Sequence, residues 1–441
     1  MHETISIFGL GKLGCTMLAC FAEKQWKVIG VDINDKFVRD VNNGKSPIFE
    51  PGVDNLLKAN KKRISATQDS KYAINNSSIS FVIVPTPSLS DGSFSMKYVK
   101  SVIRELGKAL RQKEEYHLVV ITSTVLPGDS EELVILLETS SNKKCNKHFS
   151  VCYNPDFIAL GNVVSDFLNP DMVLIGESDK KGGDILQNLH ERLVDNNPTI
   201  HRMNFYNAEL SKIALNSYCT LKITFANAIA EICENLPGGD ADIVTNAIGD
   251  DQRIGRKYIK PGLAFGGPCF PRDNRAFSHA AAKFGVENTF AEKTDEINNY
   301  HKDIRIPHKI IEILKINKVN SLAILGLTYK NDTTLIEESA AISIIKTLSS
   351  FGIKLELYDP SGYDLAKIEL SDIKNIDYHI SPKKCVTGQR VCFIATPWKE
   401  IKELNESFFV DNMKEPILID SWGLFTFKSN LIQYIRIGEN K

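Results

Sequence analysis

The sequence predicts an α/β fold: two Rossmann-like parallel-sheet domains joined by a long central helix and a helical region. Three features carry that expectation. A strand, a glycine-rich turn and a helix open the chain at residues 5–24, and a fresh strand-and-helix rhythm starts at Val319. Between them, residues 206–234 form one unbroken apolar-periodic stretch.

At 441 residues the chain has room for two or three domains, each able to bury its own core. Its 53 Lys+Arg against 54 Asp+Glu leave a formal net charge of −1. No charged field suits nucleic acid or an anionic membrane surface, so neither partner is expected. The nine cysteines are scattered, without CxxC pairs or Cys/His clusters. This predicts no disulfide framework and no metal site, and a cytoplasmic location. No secretory signal is expected before the first strand, and no apolar run approaches the roughly 20 residues of a membrane helix.

Residues 5–8 read as a short buried strand that runs into Gly9-Leu10-Gly11-Lys12-Leu13-Gly14. Residues 15–24 then read as a helix, and 26–32 as a strand ending in Asp32. Glycines at this spacing between strand and helix, with an acid about 20 positions on, form the dinucleotide fingerprint. The glycines admit a pyrophosphate to the backbone at a helix N-terminus, and Asp32 would accept the adenosine ribose hydroxyls. An acid there repels a 2′-phosphate, so NAD is expected rather than NADP.

Three further strands end in polar turns. Residues 79–84 stop at Pro85-Thr86-Pro87, residues 118–121 at Thr122-Ser123-Thr124-Val125-Leu126-Pro127-Gly128, and residues 150–152 at Tyr153-Asn154-Pro155-Asp156-Phe157. Ligands of an open parallel sheet bind beyond these carboxyl ends. The same Pro and Gly punctuate ordinary strand stops, and Asp156 also suits a helix N-cap, so the residues alone leave both readings open.

A helix as long as 206–234 bridges domains or forms a subunit interface. Lys212 and Asn216, one turn apart, share a face that either points at a site or meets solvent. A loop at 247–255 leads to Pro261-Gly262-Leu263-Ala264-Phe265-Gly266-Gly267-Pro268-Cys269-Phe270-Pro271-Arg272-Asp273. Most cysteines are small buried hydrophobes, but paired glycines before Cys269 clear space for a close approach by ligand or backbone. Residues 274–300 return to helix. The second strand rhythm then runs through 319–326, 354–358, 390–394 and 416–420. Its Gly326-Leu327-Thr328-Tyr329-Lys330 turn has one glycine, which makes a poor dinucleotide site but a plausible nucleotide one with Lys330 for phosphate.

Together with Pro47-Ile48-Phe49-Glu50-Pro51-Gly52 and Glu209, these motifs resemble the UDP-glucose/GDP-mannose dehydrogenase family, the nucleotide-sugar 6-dehydrogenases, over almost the whole chain. The resemblance implies an NAD-binding Rossmann domain at 1–203, a helical dimerisation region carrying Cys269 at 204–305, and a nucleotide-sugar-binding Rossmann-like domain at 306–441. It implies a homodimer and an NAD-dependent four-electron oxidation at the sugar C6. UDP-glucose, giving UDP-glucuronate for polysaccharide synthesis, is the first expectation. The alternatives are a UDP-N-acetyl-hexosamine or GDP-mannose, or a binding protein that has lost turnover.

By the same resemblance Cys269 is the nucleophile, Lys212 and Asn216 stabilise oxyanions, Asp273 orients water or the base, Thr124 holds water and Asp156 assists hydrolysis. Gly9, Gly11, Lys12, Leu13, Gly14, Asp32, Thr86, Thr124 and Arg272 would meet NAD. Asp156, Phe157, Leu160, Lys212, Asn216, Tyr258, Gly262, Gly266 and Lys330 would meet the nucleotide sugar. Four positions depart from the family pattern: Asp156 is one methylene short of the usual glutamate, Leu160 replaces a second one, and Glu337 and Trp422 stand where arginines are common.

Overall fold

A strand buried on both faces needs apolar side chains in succession rather than alternation, and the sequence supplies such runs in both halves. In the computed structural model, which describes residues 4–48, 50–158, 161–287 and 289–440, they fall into two compact units that divide between Ala214 and Leu215. The first unit holds β1 (Thr4–Phe8), β2 (Lys27–Val31), β3 (Ile64–Thr67), β4 (Ile79–Val82), β5 (His117–Ile121), β6 (Phe149–Tyr153), β7 (Met172–Glu177) and β8 (Thr199–Met203). They form one sheet in the order β3-β2-β1-β4-β5-β6-β7-β8. β4, β5 and β6 are buried at every residue.

The strand order reverses between β1 and β4, which opens a crevice outside their carboxyl ends. The sequence predicts a parallel sheet, and the sheet is mixed: β6 and β7 pair antiparallel, with Tyr153 opposite Gly176. β3 and β8 are half-exposed and polar enough that the sequence does not announce them.

The second unit repeats the arrangement with β9 (Ser321–Leu325), β10 (Lys354–Tyr358), β11 (Ile376–Tyr378), β12 (Val391–Ile394), β13 (Ile417–Asp420) and β14 (Gln433–Arg436). Their order is β11-β10-β9-β12-β13-β14, and every pair is parallel. The long helix, Phe205–Asn235, exceeds the predicted stretch by one residue at each end. It buries Ala208, Ile213, Ala226 and Ala230 and exposes Leu210, Tyr218, Phe225 and Ile232. The helix predicted over 274–300 is two helices, Phe270–Lys283 and Phe290–Tyr300. Gly285 takes φ +77° between them and stops the first. A π turn, His301–Arg305, follows the second directly.

Both units place an acid after the second strand of the repeat, and the two acids differ in what they have left to bind. Asp32 is half-exposed and accepts one backbone N–H on each oxygen, from Leu10 at 2.7 Å and Asn34 at 2.8 Å. Asp359 is 3% exposed. Its Oδ2 accepts from the N–H groups of Leu327 (2.6 Å) and Thr328 (3.1 Å) and from Trp398 Nε1 (3.0 Å), while Oδ1 accepts from Ser361 (2.9 Å) and Gly362 (2.6 Å). With the Thr328 hydroxyl, which also donates to Oδ2 at 3.3 Å, six donors leave nothing for a ribose. Gly326, at φ +101°, is closed off by Thr396, whose Cβ and N lie 2.4 Å from where a side chain would start. The single-glycine turn is therefore a sealed structural corner. Replacing Asp359 by Ala should strand buried donors and lower stability by on the order of 3 kcal/mol, seen as an earlier urea midpoint.

Candidate active site

The three glycines after β1 act differently. Gly9 has φ +104°, and a side chain there would strike the Ile83 carbonyl oxygen at 2.3 Å. A Cβ on Gly14 would lie 1.9 Å from the Gly9 carbonyl oxygen, so this glycine lets the helix Lys12–Glu23 close onto the turn. At Gly11 no atom lies within 4 Å of the Cβ position. That open space sits at a helix N-terminus, where N–H groups and the helix dipole favour a pyrophosphate. Lys12 and Leu13 are half-buried beside it, and Asp32 keeps acceptor capacity for ribose hydroxyls. These residues fit NAD.

The loops beyond β4, β5 and β6 are tied to one another. Thr86, buried, donates its hydroxyl to the Thr124 carbonyl at 2.8 Å. The Ser123 hydroxyl accepts from Val84 N–H (2.9 Å) and donates to the Val84 carbonyl (2.7 Å). Thr124 itself is half-buried. Lys212, buried on the long helix, donates its ammonium to the Asp156 carbonyl and lies 4.6 Å over the Phe157 ring. Lys212 thus engages the backbone of Asp156, and its charge also acts on the Asp156 carboxyl.

The Asp156 carboxyl turns inward. Its Oδ2 is shut from solvent with no hydrogen-bond partner among the described residues, and its charge reaches the Cys20 thiol. Burial pushes this carboxyl up to about 7, against the opposing pull of Lys212. A group titrating there is poised to give or take a proton at neutral pH. Leu160 lies outside the described residues.

In the second unit, Cys269 occupies the N-cap of the helix Phe270–Lys283. Among the described residues it is the exposed cysteine; Cys145 is half-buried and the other seven are buried. The helix N-terminus and the nearby Arg272 guanidinium both place positive potential at its sulfur. Arg272 binds Asp273 Oδ1 through Nε (2.9 Å) and Nη2 (2.8 Å). The buried Asp273 accepts on Oδ2 from Asn216 Nδ2 at 2.6 Å. That bond fixes the Asn216 amide and leaves its second N–H to donate elsewhere. Lys212 and Asn216 are one turn apart on the same helix.

Of the nucleotide-sugar residues expected in this unit, Gly262 and Gly266 lie on the segment leading to the thiol and Tyr258 packs beside it. Tyr258, exposed at φ +65°, meets Phe270 edge-on with centroids 5.9 Å apart, and Lys330 is half-buried. Gly262 and Gly266 are glycines because protein fills their side-chain space. A Cβ there would meet the Trp422 ring at 2.6 Å and the Glu338 carbonyl oxygen at 2.2 Å.

Three family models match the chain: the NAD binding domain of the UDP-glucose/GDP-mannose dehydrogenase family over residues 3–194, its central domain over 206–300 and its UDP binding domain over 323–427. The chain belongs to this dehydrogenase family. UDP-glucose 6-dehydrogenase TuaD of Bacillus subtilis is 31% identical over 428 residues, covering 97% of this chain and 90% of the relative. A GDP-mannose 6-dehydrogenase of Pseudomonas aeruginosa is 36% identical over 360 residues, 80% of each chain. The structure of a UDP-glucose dehydrogenase from Pyrobaculum islandicum superposes with a TM-score of 0.88 at 28% identity, covering 100% of this chain and 98% of that one. The protein is an NAD-dependent nucleotide-sugar dehydrogenase.

Other residues of this dehydrogenase shape the site without announcing themselves in the sequence. Asn227 and Asn298, both buried, staple the backbone that leads to Cys269. Asn227 accepts from Gly262 N–H (3.0 Å) and donates to the Leu263 carbonyl (3.2 Å), and Asn298 does both to Phe265 (2.9 and 3.1 Å). An Asn inside an apolar helix is the signal that would have found them, because a buried amide needs partners. Of the family departures, Trp422 packs flat on Gly262 and donates to the Ala395 carbonyl at 3.0 Å, and Glu337 is exposed with its charge reaching Arg272 and Tyr329.

Asp156 gives a pH test. Its folded carboxyl titrates near 7 and an unfolded one near about 4, so folding binds a proton between those values. The stability this allows is fully present below the unfolded value and is lost as pH rises through the folded one. Asp156→Asn removes that loss. Its melting temperature should exceed that of the native chain by a margin that grows from pH 5 to pH 8; a margin that shrinks would mean the carboxylate is stabilised by pairing instead.

Proposed function

We propose that this dehydrogenase oxidises the C6 hydroxymethyl group of UDP-glucose to the carboxylate in two hydride transfers, with Cys269 carrying the intermediate. The observation that supports it most is the Asn216–Asp273–Arg272 chain of contacts next to an exposed thiol at a helix N-terminus. NAD, when bound, accepts the hydride at each oxidation. The protein residues do the rest.

Lys212 and Asn216 donate to the alkoxide as the hydroxyl loses its proton and the C6 hydride departs. The Cys269 sulfur bonds to the aldehyde carbon, and the thiol proton passes to the carbonyl oxygen to give a thiohemiacetal. Loss of a second hydride and of the hydroxyl proton leaves a thioester. Water held by Thr124 and deprotonated with the help of Asp156 adds to it, the C–S bond breaks and the thiol is restored. The sum is R–CH2OH + 2 NAD+ + H2O giving R–COO− + 2 NADH + 3 H+. Asp273, with both oxygens engaged, orients Asn216 and Arg272.

UDP-glucose is favoured over GDP-mannose for two reasons. The UDP-glucose relative aligns along nearly the whole chain while the GDP-mannose relative covers four-fifths of it, and the C-terminal match is to a UDP binding domain. On this reading residues 1–203 bind NAD, 204–305 dimerise and carry the thiol, and 306–441 hold the nucleotide. Dimerisation is supported by Tyr218, Phe225 and Ile232, exposed and seven residues apart along the long helix, an apolar stripe that a second copy would cover. Phe225→Arg should halve the mass measured by light scattering.

With a panel of nucleotide sugars, UDP-glucose should yield two NADH per sugar. Binding of sugar and cofactor without NADH would mark a binding protein instead. Cys269→Ala should bind both ligands and form no acid, checked by product chromatography; normal acid formation would remove the thiol from the mechanism.

A further inference from the structure

Glu209 is a buried acid that the chemistry above leaves unused. It is 0% exposed on the long helix, three residues before Lys212. Its Oε2 accepts from Gly128 N–H and its Oε1 from Ser130 N–H, both at 2.8 Å. These two donors begin the helix Asp129–Ser141, directly after the turn that carries Thr124.

The way that helix is capped is unusual within this protein. Among the described residues, six other helices are capped by their own N-cap side chain: Asn34, Asp69, Asp179, Asp240, Ser381 and Asn405. Here the N-cap is Gly128, at φ +99° and without a side chain, and the cap comes from a residue 79 to 81 positions away. Burying a carboxylate is a costly way to cap a helix when a local serine or aspartate serves as well. What the distant cap adds is a fixed distance between the Thr124 turn and the long helix.

The other end of the turn is also held, by Thr86 on the Thr124 carbonyl and Ser123 on Val84. Val125 and Leu126 between the two anchors are buried. One turn further along the long helix, Lys212 holds the Asp156 carbonyl. Neighbouring residues of one helix therefore grip the two loops that the proposed mechanism assigns to water.

We propose that Glu209 is a positioning residue: its carboxylate clamps the Thr124 turn in register with Lys212, so that the water-holding hydroxyl and the oxyanion donor keep one spacing. This rests on the function proposed above. Both oxygens are needed, because two N–H donors face them. Gln has one acceptor, and its amide NH2 would confront a second N–H.

The test uses the full-length protein with NAD and the nucleotide sugar it oxidises. In Glu209→Gln, amide hydrogen exchange at Gly128 and Ser130 should quicken and kcat should fall by roughly 10- to 100-fold, as a misplacement of about 1 Å does. KM for NAD should stay within threefold. Glu209→Asp, which keeps the charge but reaches one donor, should lie between, and it replaces the Gln variant if that chain does not fold. Faster exchange with kcat within twofold of the native value would overturn the inference, as would unchanged exchange. A loss of kcat matched by lost NAD affinity and a lowered melting temperature would make Glu209 merely structural and overturn it too. If the native chain oxidises no nucleotide sugar, the function and this inference fall together; if it turns over and the variants match it, this inference alone falls.

Discussion

An α-helix rises 1.5 Å per residue and turns once in 3.6, so polar groups set along it keep their spacing while the loops around them are still finding theirs. The helix Phe205–Asn235 applies this to four buried residues, Glu209, Lys212, Asn216 and Asn227. Each reaches a partner far from it in sequence. Glu209 takes the first amides of a helix, Lys212 the carbonyl of Asp156, Asn216 the carboxylate of Asp273, and Asn227 the backbone at Gly262. Apolar burial of Ala208, Ile213, Ala226 and Ala230 holds the rod, and the polar residues use it as a ruler. No proline interrupts this helix.

The buried acids show which electrostatic effect wins where. Glu209 accepts two backbone N–H groups at a helix N-terminus, yet desolvation outweighs them and pushes its carboxyl up to about 7. Asp156 Oδ2 has no hydrogen bond among the described residues, and burial outweighs the pull of Lys212 there as well. Asp273 and Asp359 are instead enclosed by donors, two side chains in one case and five N–H groups in the other. Carboxylates of that second kind are tied to the surrounding protein by these donors. The acids of the first kind differ in geometry: Glu209 faces amides, while Asp156 retains an unoccupied oxygen. On the proposed function, that difference is why the proton step is assigned to Asp156 and positioning to Asp273.

Local patterns carried the parts of the fold that depend on chain neighbours. The glycine turn, Asp32, the length of the helix over 206–234 and the restart near Val319 are all written in contiguous residues, and each lies where the sequence places it. The mixed character of the first sheet is not local, since it depends on how β7 returns beside β6. The break at Gly285 turns on one residue's φ inside an otherwise helical run. Within the site, residue types and spacing left Cys269, Lys212 and Asn216 open between site and scaffold, and the family resemblance alone gave them and Asp273 their expected roles. Both missed Asn227 and Asn298, whose role comes from amide-to-backbone bonds across 33 to 36 residues. They also could not tell that Gly262 and Gly266 are spaced by Trp422 and Glu338 rather than by a ligand.

Those two contacts bear on how a diphosphate would be held. A long cation at position 422 would extend from the fold and present charge, whereas the indole lies flat on Gly262 and ties its N–H to Ala395, which makes the residue part of the wall. At position 337 the carboxylate opposes Arg272 instead of reinforcing it. Arg272 is already bound to Asp273 through two nitrogens, so little of its charge is left to bind a phosphate. Lys330, the expected phosphate contact, is a point charge with three donors and none of the planar fork of an arginine. On the proposed function, then, diphosphate recognition leans on Lys330 and on backbone N–H groups. Discrimination between sugars falls to the shape of the wall around Trp422 and Tyr258 rather than to charge.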